Sequence, residues 1–454
     1  MRDSSLQNGE MHRNASETDD GLEATAAIAR DLIRFDTTNY GEGRSNGEAE
    51  AAEHVGQKLK DLGFVPQFFE SEPGRVSVAA RVEGRNRSKP ALVVHGHLDV
   101  VPADSANWSV DPFAGEIRDG MLWGRGAVDM KDMDAMMLTS LADVVERQGA
   151  PERDLVVAFF ADEEAGGVLG ARHVVDNHPE LFRGATEAIS EVGGYSITID
   201  QDHGEGRRAY LLQTGEKALM WVKLVATGRA GHGSHLNRDN AITKIAGAVA
   251  RIGSREWPVR LSDTTEAMIR EVAKFLGVDP ERVGPDEVAL RTGSASRFIH
   301  AALHTTTNPT VLQSGYKHNV IPDEATAFLD IRCLPGDEEA VLAEVREVAG
   351  DDIEIVTTLR DIGLEQPFEG PLVGAVKDVL ARHDPGAPVL PYLLSGGTDN
   401  KSLARLGIAG YGFVPLQLPP DVDFPGMFHG VDERVPLASL VFGRKVLGDL
   451  LASY

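Results

Sequence analysis

The chain has one cysteine, Cys333, in 454 residues, so it cannot form a disulfide within itself. That usage fits a reducing compartment, and a cytoplasmic protein is the expectation. Basic residues are also in short supply: 45 Lys and Arg stand against 70 Asp and Glu, a formal net charge of −25. No run of Lys or Arg interrupts this balance, which repels nucleic acid and anionic membranes. No segment approaches the roughly 20 apolar residues of a membrane-spanning helix. Residues 1–20 are polar and lack the apolar stretch of a signal peptide, so they are expected to fray. The acidic excess reads as a solvated surface, leaving only a few carboxylates that need a special role.

What is present is a globular composition, 42% hydrophobic and 25% charged, at a length that points to two domains. Residues 22–35 and 48–62 carry apolar positions at helical spacing. VSVAARV (76–82), ALVVHGH (91–97) and DLVVAFFAD (154–162) read as buried strands, with Met133, Met137, Leu141 and Val144 repeating at helical intervals between the last two. This alternation predicts an α/β catalytic domain with a mostly parallel central sheet flanked by helices.

The character changes after about Gln213. ALMWVKLVATG (218–228) alternates like a half-exposed strand, and 239–253 reads as a helix. TVLQSGYKHNV (310–320) and EATAFLDIRCLP (324–335) read as a hairpin turning at Ile321-Pro322-Asp323. A helix at 337–349 and a strand at 352–359 complete a β-α-β-β-α-β order, which fits helices on one face of an antiparallel sheet. The expected organisation is a catalytic domain in two parts, 21–214 and 363–454, interrupted by an inserted domain at 215–362. The connection at 255–309 is too long for a structureless loop and has its own helical pattern at 264–276. It enlarges the inserted domain, lines a pocket or forms an oligomer contact, and the sequence does not choose.

Five segments place His, Asp or Glu at strand ends or in loops beside glycine. In His95-Gly96-His97-Leu98-Asp99, residues two apart on an extended chain share a face, so Asp99 can reach the His97 ring. A carboxylate on one ring nitrogen strengthens the other as a metal ligand; the plainer alternative is a strand end with a surface histidine. His95 has a packing role. In Gly124-Arg125-Gly126-Ala127-Val128-Asp129, Asp129 is either a ligand or a helix N-cap. Its glycines lack the spacing of a P-loop or dinucleotide fingerprint.

Asp162-Glu163-Glu164 closes the apolar strand DLVVAFF. Consecutive acids after a buried strand are costly unless a cation is present, and adjacent carboxylates suit a division between metal binding and proton transfer. A solvated acidic turn is the competing interpretation. Glu191, in Ile189-Ser190-Glu191-Val192-Gly193-Gly194, and His429, in Met427-Phe428-His429-Gly430-Val431-Asp432-Glu433, are weak individually. Together, two histidines and three carboxylates without thiolates form a nitrogen and oxygen donor set suited to zinc, cobalt or manganese.

In this order, along nearly the whole chain, these segments resemble the zinc metallopeptidase and amidohydrolase family of acetylornithine deacetylase, succinyl-diaminopimelate desuccinylase, aminoacylase and glutamate carboxypeptidase. The resemblance implies two zinc ions bridged by Asp129, with His97 and Glu191 completing one site and Glu164 and His429 the other. It implies that Asp99 supports His97, that Glu163 is the base for the attacking water, and that a cis peptide follows Asp129. Ser395-Gly396-Gly397-Thr398-Asp399-Asn400 resembles a Gly-Gly-Thr-Asp loop near the family's site.

The inserted domain resembles the family's lid, through which a homodimer is expected. By that resemblance His232, in Gly231-His232-Gly233-Ser234-His235, polarises the scissile carbonyl, often from the dimer partner. Asn319 and Arg332 match residues that grip a substrate carboxylate, with Asn240 a further match; Arg332 also reads as an ordinary surface strand residue. Two departures stand out: Met130-Lys131-Asp132 where many members have Met-Lys-Gly, and Glu191-Val192-Gly193-Gly194 where the deacetylase and desuccinylase branches carry Glu-Pro.

The expected activity is metal-dependent hydrolysis of a peptide or N-acyl amide bond next to a free carboxylate, on a small-molecule substrate. A biosynthetic deacetylase or desuccinylase is the alternative within the same chemistry. A non-catalytic binding protein of this fold is disfavoured because every expected ligand and the base are present.

Overall fold

Runs of Val, Leu, Ala and Phe that can bury on both faces become inner strands, and each Val, Leu or Phe side chain removed from water contributes about 1.5–3 kcal/mol. The structure, a computed structural model, describes residues 23–199 and 206–454; the N-terminal stretch expected to fray lies outside the described residues. Its main strands are β1 (Gln67–Glu72), β2 (Arg75–Val82), β3 (Ala91–His97), β4 (Leu155–Phe160), β5 (Ala185–Ser190), β6 (Ser196–Ile199) and β7 (Arg207–Glu216). They continue with β8 (Ala218–Thr227), β9 (Thr306–Ser314), β10 (Glu324–Cys333), β11 (Ile353–Asp361), β12 (Val389–Leu394) and β13 (Ala409–Gly412). The main helices are α1 (Ala24–Ile33), α2 (Ala49–Asp61), α3 (Lys131–Gln148), α4 (Ala241–Gly253), α5 (Asp263–Leu276), α6 (Glu338–Ala349), α7 (Pro371–His383) and α8 (Leu437–Ser453).

The large sheet runs β6-β7-β13-β5-β3-β4-β2-β1, with β12 and the short strand Leu364–Glu365 also paired to β7. Its middle is parallel: β3 pairs in parallel with β4 and β5, β13 with β5, and β12 with β7. The edges are antiparallel, with β1 on β2, β2 on β4 and β6 on β7. The sheet is therefore mixed rather than mostly parallel. VSVAARV is buried enough to pass for an inner parallel strand, but Pro73-Gly74 turns β1 straight into β2, and so short a connection permits only antiparallel pairing.

A second, four-stranded sheet has the order β9-β10-β8-β11, antiparallel throughout. It has its own apolar core, in which Met220, Val222 and Leu224 of β8 meet Ile245 and Ile252 of α4 and Val341, Leu342 and Val345 of α6. The expected hairpin is longer and its turn wider, because β9 ends at Ser314, paired with Ala325. Gly315 at φ +70° leaves the extended region, and Val320–Ile321 then pair with Gly231–His232.

The segment 255–305 extends the large-sheet body instead of the four-stranded sheet. Met268, Ile269 and Val272 of α5, with Val288, Ile299 and Leu303, share one core with Leu390 and Tyr392 of β12. No helix among the described residues is long and apolar enough to cross a membrane.

Candidate metal centre

β5, β3 and β4 lie side by side and point the same way, so their carboxyl ends form one rim. His97 is the last residue of β3, Glu191 directly follows β5, and the short 3₁₀ segment Glu163–Ala165, which carries Glu163 and Glu164, begins after only Ala161 and Asp162 beyond β4. Asp129 arrives from the Gly-rich loop ahead of α3, and His429 from the loop ahead of α8, with a φ of +56°. The peptide between Asp129 and Met130 is cis, as the resemblance implies.

Asp129 stands between the two histidines. Its Oδ1 lies 3.1 Å from His97 Nε2 and its Oδ2 lies 3.3 Å from His429 Nε2. Glu191 is 3.5 Å from the same His97 nitrogen, Glu163 is 3.9 Å from it, and Glu164 is 3.1 Å from His429 Nε2. Five sequence-predicted ligands and the predicted base therefore converge. Two overlapping sets of donor atoms, His97 with Asp129 and Glu164, and His97 with Glu163 and Glu191, each lie within 4.8 Å of one another.

Asp99 works differently from the arrangement expected. His97 Nδ1 donates to the backbone oxygen of Asp99 at 3.0 Å, nearer than the side-chain carboxylate at 3.6 Å. A carbonyl fixes the tautomer as well as a carboxylate does, and Nε2 is left as the donor toward the site. The Asp99 carboxylate instead accepts the amide hydrogens of Glu163 at 3.0 Å and Glu164 at 3.2 Å, and the Asn39 side-chain amide at 2.9 Å. It orients the acidic turn more directly than the imidazole. His95 packs, as expected: its ring nitrogens meet Asn400 Oδ1 and Ser190 Oγ, and burial pushes its pKa down to about 4.

Several supporting residues carry no signal in the sequence pattern. Arg75 Nη2 lies 2.9 Å from both Glu48 and Asp162, holding the turn that begins at Asp162 with φ +68°. Glu433 is buried and accepts from the amides of Gly126, Val128 and Asp129 and from Arg125. Asp399, in the Gly-Gly-Thr-Asp loop, is buried with Oδ2 unpartnered. Glu433 and Asp399 each stand in a segment that the sequence marks, but nothing in the pattern distinguishes them from solvated acids. The departure from Glu-Pro has a backbone reason, because Val192 has φ +58°, which proline, fixed at about −65°, cannot adopt, and the following glycines are closely packed. Gly194 has φ +77°, and a Cβ there would lie 2.3 Å from the Val414 nitrogen.

The electrostatics are those of a site built around cations. Burial raises the Glu163 carboxyl well above its usual range, and neighbouring Glu191 adds to this. Burial and then Asp129 raise Glu164, while burial opposed by His97 pushes Glu191 up to about 7. Burial also works against a charged His97, but Glu191, Asp129 and Glu163 outweigh it and hold the ring protonated well above the usual range. Hydrogen bonds to Asp129 and Glu164 push His429 up to about 10. Protons here stand in for a divalent charge. Glu164 Oε1 is buried with no hydrogen-bond partner, and the donor set is nitrogen and oxygen without sulfur. These residues fit one or two divalent ions.

The predicted substrate-binding residues lie apart from this cluster. His232 is exposed, with Nδ1 2.8 Å from Ser234 Oγ, and Asn319 is exposed beside it, its backbone oxygen accepting from Gly233. Asn240 caps α4, accepting from the amides of Ile242 and Thr243. Arg332 is occupied by Asp330, at 2.7 Å, and donates to the Ser395 carbonyl, which ties β10 to the Gly-Gly-Thr-Asp loop.

Beside Asp129 and Glu191, a small apolar pocket is lined by Val128, Met130, Val192, Tyr195, Val414, Phe424 and Phe428. Phe424 packs edge-on to Phe428, with ring centroids 5.5 Å apart, and tilted against Tyr195 at 5.1 Å.

A sequence model of peptidase family M20/M25/M40 matches residues 93–453. Among the most similar curated proteins, the N-fatty-acyl-amino acid synthase/hydrolase PM20D1 of Xenopus tropicalis is 28% identical over 418 residues, spanning 89% of this chain and 80% of that protein. Aminoacylase-1 of Sus scrofa is 25% identical, covering 97% of each. The M20 family metallo-carboxypeptidase Sso-CP2 from Sulfolobus solfataricus shares the fold, with a TM-score of 0.72 at 18% identity over 95% of this chain and 99% of its own.

Proposed function

The chain belongs to peptidase family M20/M25/M40 and is an amide-bond hydrolase; from that premise we propose that it cleaves N-acyl amino acids or dipeptide-like substrates carrying an apolar group and a free carboxylate. The observation that carries this reading is the position of Asp129, with one carboxylate oxygen toward each histidine. His97, Asp129 and Glu191 would hold one divalent ion and Asp129, Glu164 and His429 a second, with zinc as the proposed metal. When bound, such a pair supplies Lewis acidity and lowers the pKa of water.

The chain's own residues do the rest. Glu163 stands at the rim without being needed as a ligand in this division, and its carboxyl, raised by burial and by neighbouring Glu191, suits a group that takes up and gives back a proton. It takes a proton from the attacking water and returns it to the leaving amine nitrogen. The apolar wall of Val192, Tyr195, Val414, Phe424 and Phe428 borders Asp129 and Glu191 and would shield one side of the centre from water.

Arg332 would meet the substrate carboxylate by exchanging Asp330 for it, and Asn319, Asn240 and His232 would act from the lid. We propose a homodimer through the four-stranded sheet, a reading supported by the exposed edge strand β9, with Val311, Leu312 and nearby Tyr316 open to solvent. We place the ends of the inserted domain at 215 and 362, a reading supported by the separate core of that sheet, with 255–305 set apart because it packs into the large-sheet core. A cytoplasmic location is supported by the single, buried Cys333.

The test is amine release from a panel of N-acyl amino acids and dipeptides, with and without chelator. Chelator-sensitive release favouring apolar acyl groups or side chains is expected. No chelator-sensitive release across a broad panel would refute the reading.

A further inference from the structure

One cluster of metal-ligating side chains lies away from the centre around Asp129. Asp286 is in the short helix Pro285–Leu290, His300 is in the helix Ser296–Ala302, and His304 follows one turn later. The His304 amide still donates to the Ala301 carbonyl, so the helical turn carries on and the two rings share a face, with centroids 4.8 Å apart. Asp286 Oδ1 lies 3.2 Å from His300 Nε2 and 2.9 Å from His304 Nε2. The three side chains are 45%, 40% and 24% exposed in the order Asp286, His300, His304, so an ion can enter from solvent.

The tautomer of His304 sharpens this geometry. Its Nδ1 lies 3.4 Å from the backbone oxygen of Trp257. A carbonyl oxygen only accepts, so Nδ1 carries the hydrogen and, in the neutral ring, Nε2 presents a lone pair. That lone pair faces the carboxylate oxygen of Asp286, an acceptor against an acceptor. A cation has to sit between them, either a proton or a metal ion. Two imidazole nitrogens and a carboxylate oxygen, with one ring anchored to a carbonyl, are the makings of a three-ligand transition-metal site completed by water.

We propose that Asp286, His300 and His304 form a separate site for a late first-row divalent ion such as zinc. Its role is structural. It cross-links the two short helices of the 255–305 segment beside the connection between the sheets. Lys217 is the single residue between β7 and β8, and its buried ammonium donates to the carbonyls of Ala301, at 2.6 Å, and His304, at 2.5 Å. An ion at His304 therefore stiffens the ground on which the junction of the large and four-stranded sheets is anchored.

The experiment strips the full chain with chelator, reloads it with zinc, removes unbound metal and measures zinc per chain. The doubly substituted His300→Ala/His304→Ala protein is expected to hold one equivalent fewer than the unsubstituted chain, and to lose less melting temperature relative to it in chelator than in zinc. Asp286→Asn, which keeps both rings, is expected to weaken the affinity of that equivalent at least tenfold in competition with a chromophoric chelator. Equal zinc content in the unsubstituted and doubly substituted chains, or an affinity unaltered by Asp286→Asn, overturns the proposal and leaves a proton-bridged ion pair. The result does not depend on amide hydrolysis, so it stands or falls apart from the proposed activity.

Discussion

Glu433 Oε1 accepts the amide hydrogen of Asp129 at 3.0 Å, across 304 residues of sequence. The same carboxylate accepts from Gly126 and Val128 and pairs with Arg125 at 2.7 Å, so one buried side chain shapes the whole loop that presents Asp129. The loop that carries His429 ends in the residue that holds Asp129, and the two candidate ligands are thereby positioned together.

Glu433→Ala should therefore cost far more than a surface change. It leaves three amides without their acceptor and the Arg125 guanidinium, 4% exposed, without its counter-charge. Breaking a buried pair in this way costs about 3–5 kcal/mol. Urea unfolding of the chelated protein checks this, and a loss below about 1 kcal/mol would show that Arg125 is compensated elsewhere.

Glu163→Gln removes the proton acceptor but keeps the shape of the side chain. Turnover should drop by about 10²–10⁴-fold, while metal content stays that of the parent. Activity within a few-fold of the parent would take Glu163 out of the base role.

Asp129→Ala takes away the carboxylate that faces both His97 and His429. Bound metal at this centre should fall to a small fraction of the parent level, read by atomic emission after desalting. Normal metal content would refute the bridging assignment.

The pH dependence of stability should differ between the chelated and metal-loaded protein. Without metal, Glu191 titrates at about 7 in the fold against 4.5 unperturbed, so the folded state holds the extra proton and stability from this group falls as pH rises through that window. His429, raised from 6.5 to about 10, contributes stability that is complete below about 6.5 and lost as pH rises toward 10. Metal binding runs the other way, because ligands must release protons to bind it. The gap in melting temperature between loaded and chelated protein should widen from pH 5 to pH 8, and a gap that narrows would contradict the site's raised pKa values.

The grouping of His97, Asp129, Glu163, Glu164, Glu191 and His429 into ligands and base was implied by the family resemblance, whereas local pattern and residue type in the sequence were enough to place the strands β3, β4 and β8, the helices α3 to α6 and the carboxylate-rich nature of the site. These follow from periodicity and from acids and histidines at the ends of buried strands, both readable along the chain. The tertiary structure decided what depends on distances of an ångström between residues far apart in sequence. It made the sheet mixed through the Pro73-Gly74 turn, and it moved the support of His97 from the Asp99 carboxylate to its carbonyl. It occupied Arg332 with Asp330 and brought Asp286 against His300 and His304. A carboxylate's partner is set by which backbone amide or ring nitrogen the fold brings within 3 Å, and no one-dimensional pattern carries that distance.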